Sequence, residues 1–387
     1  MARPHVTALT TLLAAALLVP LLAACGDDEP ADLPPTVPPS SSAASGGTGT
    51  STTPAAYPTT VPDVTVARTV ASRLEIPWGI AFLPDGSALV AERETAEIRR
   101  VAADGTTSRV DKVAGVEPNG EGGLLGLLVP PAEATEGTLM VYAYFTAADD
   151  NRIVRMPYEN GKLGAPSTVL TGIPKAGNHD GGRMILGPDG KLWIGTGESG
   201  NPPLAQRLDS LGGKILRLNL DGSVPADNPF RGSPVWTLGH RNVQGLAFDS
   251  RGQLWATEFG QDTWDELNRI QRGKNYGWPA VEGKGTDGGR YVEPFVVWST
   301  DEASPSGLAI VDDVAYVAGL RGQRLWQVPL GNADAAVGRF TEEYGRLRTV
   351  LQAPSGALWV STSNLDGRLR GRDPAPDDDK ILELRLG

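Results

Sequence analysis

The chain has 387 residues, 40% hydrophobic and 21% charged, a globular composition that excludes disorder throughout and suffices for one large domain or two smaller ones. Its 35 Lys and Arg against 46 Asp and Glu leave a net charge of -11, which repels phosphate backbones and argues against nucleic acid as a partner. Forty-eight Gly and 31 Pro disfavour a helical protein, and one Cys excludes an internal disulfide or a multi-thiolate metal site.

The single cysteine lies near the N-terminus. Arg3 and His5 precede an apolar run from Val6 to Ala24 that ends Leu22-Ala23-Ala24-Cys25 and is followed by Gly26-Asp27-Asp28-Glu29. The run approaches the roughly 20 residues that cross a bilayer, but small residues leading into a Cys resemble a bacterial lipoprotein signal peptide and lipobox. Residues 1–25 are read in that way, with Cys25 as the lipidation site. The mature protein is then extracytoplasmic and held at the cell membrane by its lipid anchor only. Residues 26–62, as in PPTVPPSSSAASGGTGTSTTP, have little to bury and are predicted to form a disordered linker.

From residue 63 onward one phrase recurs, an apolar strand, a tight turn and a second apolar strand. The clear copies are IAFLPDGSALVAE, MILGPDGKLWIGTGE, LAFDSRGQLWATEFG and VLQAPSGALWVSTS; the weaker ones begin at Leu127 and Leu308. Their turns fall at Gly86, Gly137, Gly190, Gly252, Asp313 and Gly356, about 54 residues apart. Six repeats of that length predict an all-β, six-bladed propeller over 63–387. A pair of β-sandwiches would show turns every 8–12 residues without the longer period. Only TWDELNRIQRG, near Thr263, has a helical look. Propellers bind ligands over the central channel, so function is expected in loops at one end.

Four loops carry unusual residues. In GNHDGGRMILGPDGKLWIGTGESGN, His179 precedes a strand and Glu198 follows its hairpin partner, so the two are brought together as a base and the carboxylate that orients it. LGHRNVQGLAFD presents Arg241 and Asn242 just before a strand. WATEFGQDTWDELNRIQRGKNYGWPAVEG gathers Glu258, Asp262, Asp265 and Glu266 with loop carbonyls, a donor set suited to a hard cation such as calcium. In GRLRTV, Arg346 and Arg348 share one face of a strand, with Arg321 in an earlier loop; such a face requires an anion or a carboxylate between the guanidiniums.

The ordered series NHDGGR, GTGESGN, GGKILRLNLDGSVPADNPF, GHRNVQGLAF and DELNRIQRGKNYGWP resembles the soluble PQQ-dependent glucose/sorbosone, or aldose sugar, dehydrogenases. The resemblance implies a six-bladed propeller that oxidises an aldose sugar at its anomeric carbon to the lactone, with pyrroloquinoline quinone (PQQ) as acceptor and Ca2+ as a second cofactor. It makes His179 the base, Glu198 its orienting acid and Arg241 the stabiliser of charge on the quinone. Arg241, Asn242, Arg321, Arg346 and Arg348 become the PQQ contacts, and Glu121, in GEGGLLGL, a substrate contact that is Gln in better-known members. One calcium would use the carbonyls of Gly260 and Gln261, another Glu266 and the carbonyl of Tyr276. No Cys-x-x-Cys-His haem motif is present, so electrons would pass to an external acceptor.

The sequence departs from the family pattern at Phe259, where Gln or His is usual, at Gln261, where Pro is usual, and at Asn178 and Asp180. An apolar ring at 259 favours an alternative reading, a non-catalytic propeller that binds a sugar or a cell-envelope partner. A calcium-dependent lactonase is a third.

Overall fold

A computed structural model describes residues 55–131 and 138–387 of the chain. The expected signal peptide, Cys25, most of the linker and the turn at Gly137 lie outside the described residues. Strand β1 (Val64–Ala71) comes first. Blade 1 is β2 (Pro77–Phe82), β3 (Ala88–Glu92), β4 (Glu97–Val101) and β5 (Thr107–Lys112). Blade 2 is β6 (Leu124–Leu128), β7 (Leu139–Thr146), β8 (Asn151–Glu159), the short β9 (Lys162–Leu163) and β10 (Ser167–Ile173). Blade 3 is β11 (Met184–Leu186), β12 (Leu192–Gly195), β13 (Lys214–Leu218) and β14 (Val235–Leu238). Blade 4 is β15 (Val243–Phe248), β16 (Leu254–Glu258), β17 (Trp264–Arg269) and β18 (Val296–Ser299). Blade 5 is β19 (Pro305–Val311), β20 (Val314–Gly319), β21 (Arg324–Pro329) and β22 (Val337–Arg339). Blade 6 takes β23 (Leu347–Gln352), β24 (Leu358–Thr362) and β25 (Ile381–Leu386), and β1 returns to pair with β25 as its fourth strand.

Each sheet is an antiparallel meander, and together the six form the expected β-propeller. The recurring phrase is the first two strands of each blade. These lie against neighbouring blades on both faces, which is why they read as unbroken apolar runs rather than alternating ones. Every residue of β3, β12, β16, β20 and β24 is buried. Outer strands such as β5 and β10 are half exposed and carry weaker patterns. The six hydrophobic clusters sit between consecutive blades, so the core is distributed around the ring. Blades 5 and 6, for example, share Val311, Tyr316, Leu347, Val360 and Leu384.

Two expectations are corrected. The helical-looking segment is strand β17, paired with β16 and β18. Its Asp265, Glu266, Leu267 and Asn268 are all buried, and its polar side chains are hydrogen-bonded inside the blade. The linker also ends earlier than residue 62. Tyr57 donates to Asp249 Oδ2 at 2.7 Å and lies under the Arg251 guanidinium, and Pro58 and Pro62 accept bonds from Gly331 and Gln327 in blade 5.

Closure of the ring rests on the β1–β25 pairing, and Leu384, paired with Val66 and Leu358, is buried beneath it. Leu384→Ala should cost about 2–5 kcal/mol, read from urea unfolding midpoints. A loss below about 1 kcal/mol would show that closure does not depend on this packing.

Candidate active site

The starts of the first strands and the ends of the second strands converge at one end of the channel. There they line a cavity of about 450 Å3 that includes Trp78, Glu121, Asp180, Phe259, Arg321, Arg346 and Arg348. A second, apolar cavity of about 290 Å3 lies among the innermost strands and has Arg183 in its wall. Arg183 stacks on Trp78 at 4.3 Å, so this pair separates the two spaces.

His179 Nδ1 lies 2.7 Å from Glu198 Oε1, the juxtaposition that the hairpin predicts. A carboxylate accepts, so Nδ1 carries the proton and Nε2 keeps its lone pair; the only side chain bonded to Nε2 among the described residues is Asn178, at 3.3 Å. His179 sits in the left-handed region at φ 57°, with its N–H donating to Glu121 Oε2 at 3.0 Å. Gly197 is needed opposite it, because a Cβ there would lie 1.9 Å from the His179 carbonyl oxygen. Glu198 is 1% exposed, and its Oε2 has no protein partner.

Arg241 is held through its peptide. Glu198 N donates to the Arg241 carbonyl at 2.9 Å, and the Arg241 N–H donates to Glu258. Its Nη1 donates to the Phe259 carbonyl at 3.3 Å and its Nε is unpaired. Asn242 is fully buried; its Oδ1 accepts from Gly181 N, and its Nδ2 is unpaired. The carboxylate required between Arg346 and Arg348 is Asp366, 2.9 Å from one and 4.0 Å from the other. Burial pushes the Arg348 guanidinium down to about 9, and its Nε is unpaired. Arg321 reaches the same cavity while ion-paired to Asp301.

The acidic loop is arranged differently from a free cluster of donors. Glu258 is taken by His240 Nδ1, at 2.8 Å, and by Arg241 N. Asp265 accepts from Gly260 N and Ser304 N, and Glu266 from Asn268 and Gly283 N. Glu282 Oε1 gathers the four amides of Gln261, Asp262, Thr263 and Trp264 within 3.0 Å, fixing the loop that holds Gly260 and Gln261. Glu258, Glu266, Glu282 and Tyr276 line one small cavity beside Arg241 and Phe259. Burial, and then the charge of Glu258, push the Glu266 carboxyl up to about 8. The Phe259 ring lines both cavities yet leaves the larger one open.

The family model for glucose/sorbosone dehydrogenases matches residues 74–371. The chain belongs to the glucose/sorbosone dehydrogenase family. A solved structure of the PQQ-bound aldose sugar dehydrogenase of Streptomyces coelicolor is 53% identical, with a TM-score of 0.81, covering 86% of this chain and all of that one. An aldose sugar dehydrogenase of Escherichia coli is 32% identical over 77% of this chain and 90% of its own length. The quinoprotein glucose dehydrogenase B of Acinetobacter calcoaceticus is 34% identical over 57% of this chain, which spans about half of that relative.

Within this family site, sequence reasoning missed Asp366, Trp78, Gln244, Arg368 and the Glu282 anchor. Asp366 is the residue that pattern could have found, since two arginines on one face require a carboxylate and LDGR follows the next strand.

Asp180 lines the cavity with Oδ2 unpaired, and burial raises its carboxyl to about 6. A raised carboxyl adds stability that is present below pH 4 and lost as pH rises through 6. Asp180→Asn should therefore gain on the wild type between pH 4 and 6, by on the order of 2–3 kcal/mol. A difference in unfolding free energy that stays flat over that window would refute the assignment.

Proposed function

We propose that the protein oxidises an aldose at its anomeric carbon to the lactone, with His179 as base, PQQ as redox cofactor and an external electron acceptor. As a member of its family, the chain is a quinoprotein sugar oxidoreductase. The observation that carries the mechanism is the His179–Glu198 pair next to a cavity rich in guanidinium.

The residues suit PQQ, a planar tricarboxylate. The cavity falls within the 300–1,000 Å3 usual for small-molecule sites. Arg346, Arg348 and Arg321 supply charge for carboxylates, and the desolvated Arg348 would recover charge stabilisation from such a ligand. Trp78 supplies a flat apolar wall. Arg241 and Asn242 hold unpaired buried donors, which a quinone's oxygens would satisfy. When bound, PQQ takes the two electrons released with the anomeric hydrogen.

The chain's own residues handle the proton. Glu198 holds Nδ1–H, presents the Nε2 lone pair for the anomeric hydroxyl proton once the long Asn178 bond gives way, and stabilises the imidazolium that results. Burial lowers the Arg241 guanidinium from its ordinary value, and the charges of Glu198, Glu258, Glu282 and Glu121 counter this only in part; an arginine starts high enough to stay cationic beside Glu198. It would stabilise negative charge on a bound quinone.

Calcium belongs to the same proposal. The buried carboxylates of Glu258 and Glu266 repel each other, and a divalent cation at Glu266 and the Tyr276 carbonyl would relieve that cost. A second would take the Gly260 and Gln261 carbonyls on the loop that Glu282 holds. Attachment to the cell membrane through Cys25 is proposed as well, and would keep the enzyme near its electron acceptor.

His179→Gln should lower aldose-dependent dye reduction by about 10²–10⁴-fold while leaving PQQ affinity nearly unchanged. Wild-type turnover in that variant would remove His179 as the base. PQQ binding, followed by absorbance, should be tight in calcium and weak in chelator. Equal binding in both would remove calcium from the cofactor site.

A further inference from the structure

The cavity mouth contains a loop that the reaction above does not use. Residues 363–370 follow β24, and Gly367, Arg368 and Arg370 line the cavity. The loop is anchored by Asp366, which is buried under Arg346 and accepts the Arg368 amide on its other oxygen at 3.0 Å. From there Arg368 reaches the segment between blades 1 and 2, where its Nη1 donates to Glu121 Oε1 at 2.7 Å. The other Glu121 oxygen accepts the His179 N–H.

The Glu121 segment is seated directly on the His179 loop. Glu121 N donates to the Gly177 carbonyl at 3.1 Å, and a Cβ on Gly120 would come within 2.1 Å of that same oxygen. His179 has a left-handed backbone that a residue with a Cβ keeps only when its surroundings hold it there. Glu121 is what holds its amide. Burial alone would raise the Glu121 carboxyl, but the His179 amide and the Arg368 guanidinium outweigh it and keep it below its usual value.

We propose that Arg368 is a positioning residue for the base: its ion pair with Glu121 across the cavity mouth keeps the carboxylate on the His179 amide and so fixes the imidazole against Glu198. Ion pairs between two exposed side chains contribute little. Here Arg368 is half exposed, but Glu121 is mostly buried and committed to a second bond. Glu121 then serves the base from behind, in addition to facing the cavity. The inference rests on the reading of His179 as the base.

The test uses full-length protein with Arg368→Ala, Arg368→Lys, Glu121→Gln and the Arg368→Ala/Glu121→Gln pair. Arg368→Ala should lower kcat about tenfold with the aldose KM within about twofold, and Lys should restore most of the loss. Once Glu121 is Gln, Arg368→Ala should have no further effect, because both changes break one interaction. A second readout needs no cofactor. The chain has three histidines, so the imidazole proton signals are few, and His179→Gln identifies that of His179. Arg368→Ala should move the His179 Nδ1 proton and leave that of His240 in place.

Independent, multiplying effects of the two substitutions, a change in KM alone, or an unmoved His179 signal would each overturn the proposal. If the wild type reduces no dye with any aldose, the proposed reaction fails, and the resonance shift by itself decides the role of Arg368.

Discussion

A strand covered on both faces can exist only where something covers it, and in this chain that requirement is met by closing a ring. The second strand of blades 1, 3, 4, 5 and 6 is buried along its whole length, so none of these blades is stable as an isolated sheet with a wet side. Each hydrophobic cluster is shared by two blades, and at the last interface the chain segment that pairs with β25 as β1 adds Val70 and Ala71 to the cluster. The site depends on this closure. His179 comes from blade 3, Arg241 from blade 4, Arg321 from blade 5 and Arg346 from blade 6, and each approaches the channel because its blade is held radially.

Ring closure also concentrates charge at the channel, and the cost of burying it shapes the site. Arg183 and Arg348 are buried near Trp78, and burial pushes both guanidiniums down to about 9. On the other side of Phe259, Glu266 is pushed up to about 8. The two shifts have opposite signs and adjacent locations. A cavity short of negative charge, next to a pocket short of positive charge, is electrostatically complementary to an anionic ligand. The pairings within the protein are partial: Asp366 serves two arginines, and Arg241 has its peptide held while its Nε stays unpaired.

The blade repeat was legible because both-face burial writes an unbroken apolar pair of strands around a turn, and five of the six predicted turns fall between the first two strands of their blades, with Gly137 outside the described residues. The His179–Glu198 contact was legible because both residues flank one hairpin. What pattern could not reach were pairings between distant loops, such as Arg368 with Glu121, 247 positions apart, or Glu282 with the amides of residues 261–264. These depend on the ring bringing loops together, and no local period reports them. The polar strand β17 misled for a related reason: its buried carboxylates have partners that sequence does not place beside them.

The two histidines of the propeller show why residue type alone could not single out the proposed base. Each precedes the first strand of its blade, and each places Nδ1 within 2.8 Å of a glutamate that ends or follows the second strand. They differ at the other nitrogen. His240 Nε2 meets Thr237 Oγ1 at 2.9 Å, its ring stacks on Tyr276, and it is fully buried, so both nitrogens are committed and no path for a proton remains. His179 has only a long contact to Asn178 at Nε2 and is flanked by Asp180, which lines the cavity. Blade 4 uses the pair to hold the peptide of Arg241 through Glu258, and blade 3 uses the same pair with the second nitrogen held only by a long bond. The difference between the structural histidine and the proposed base lies in the second nitrogen, held at 2.9 Å by Thr237 in one and only at 3.3 Å by Asn178 in the other.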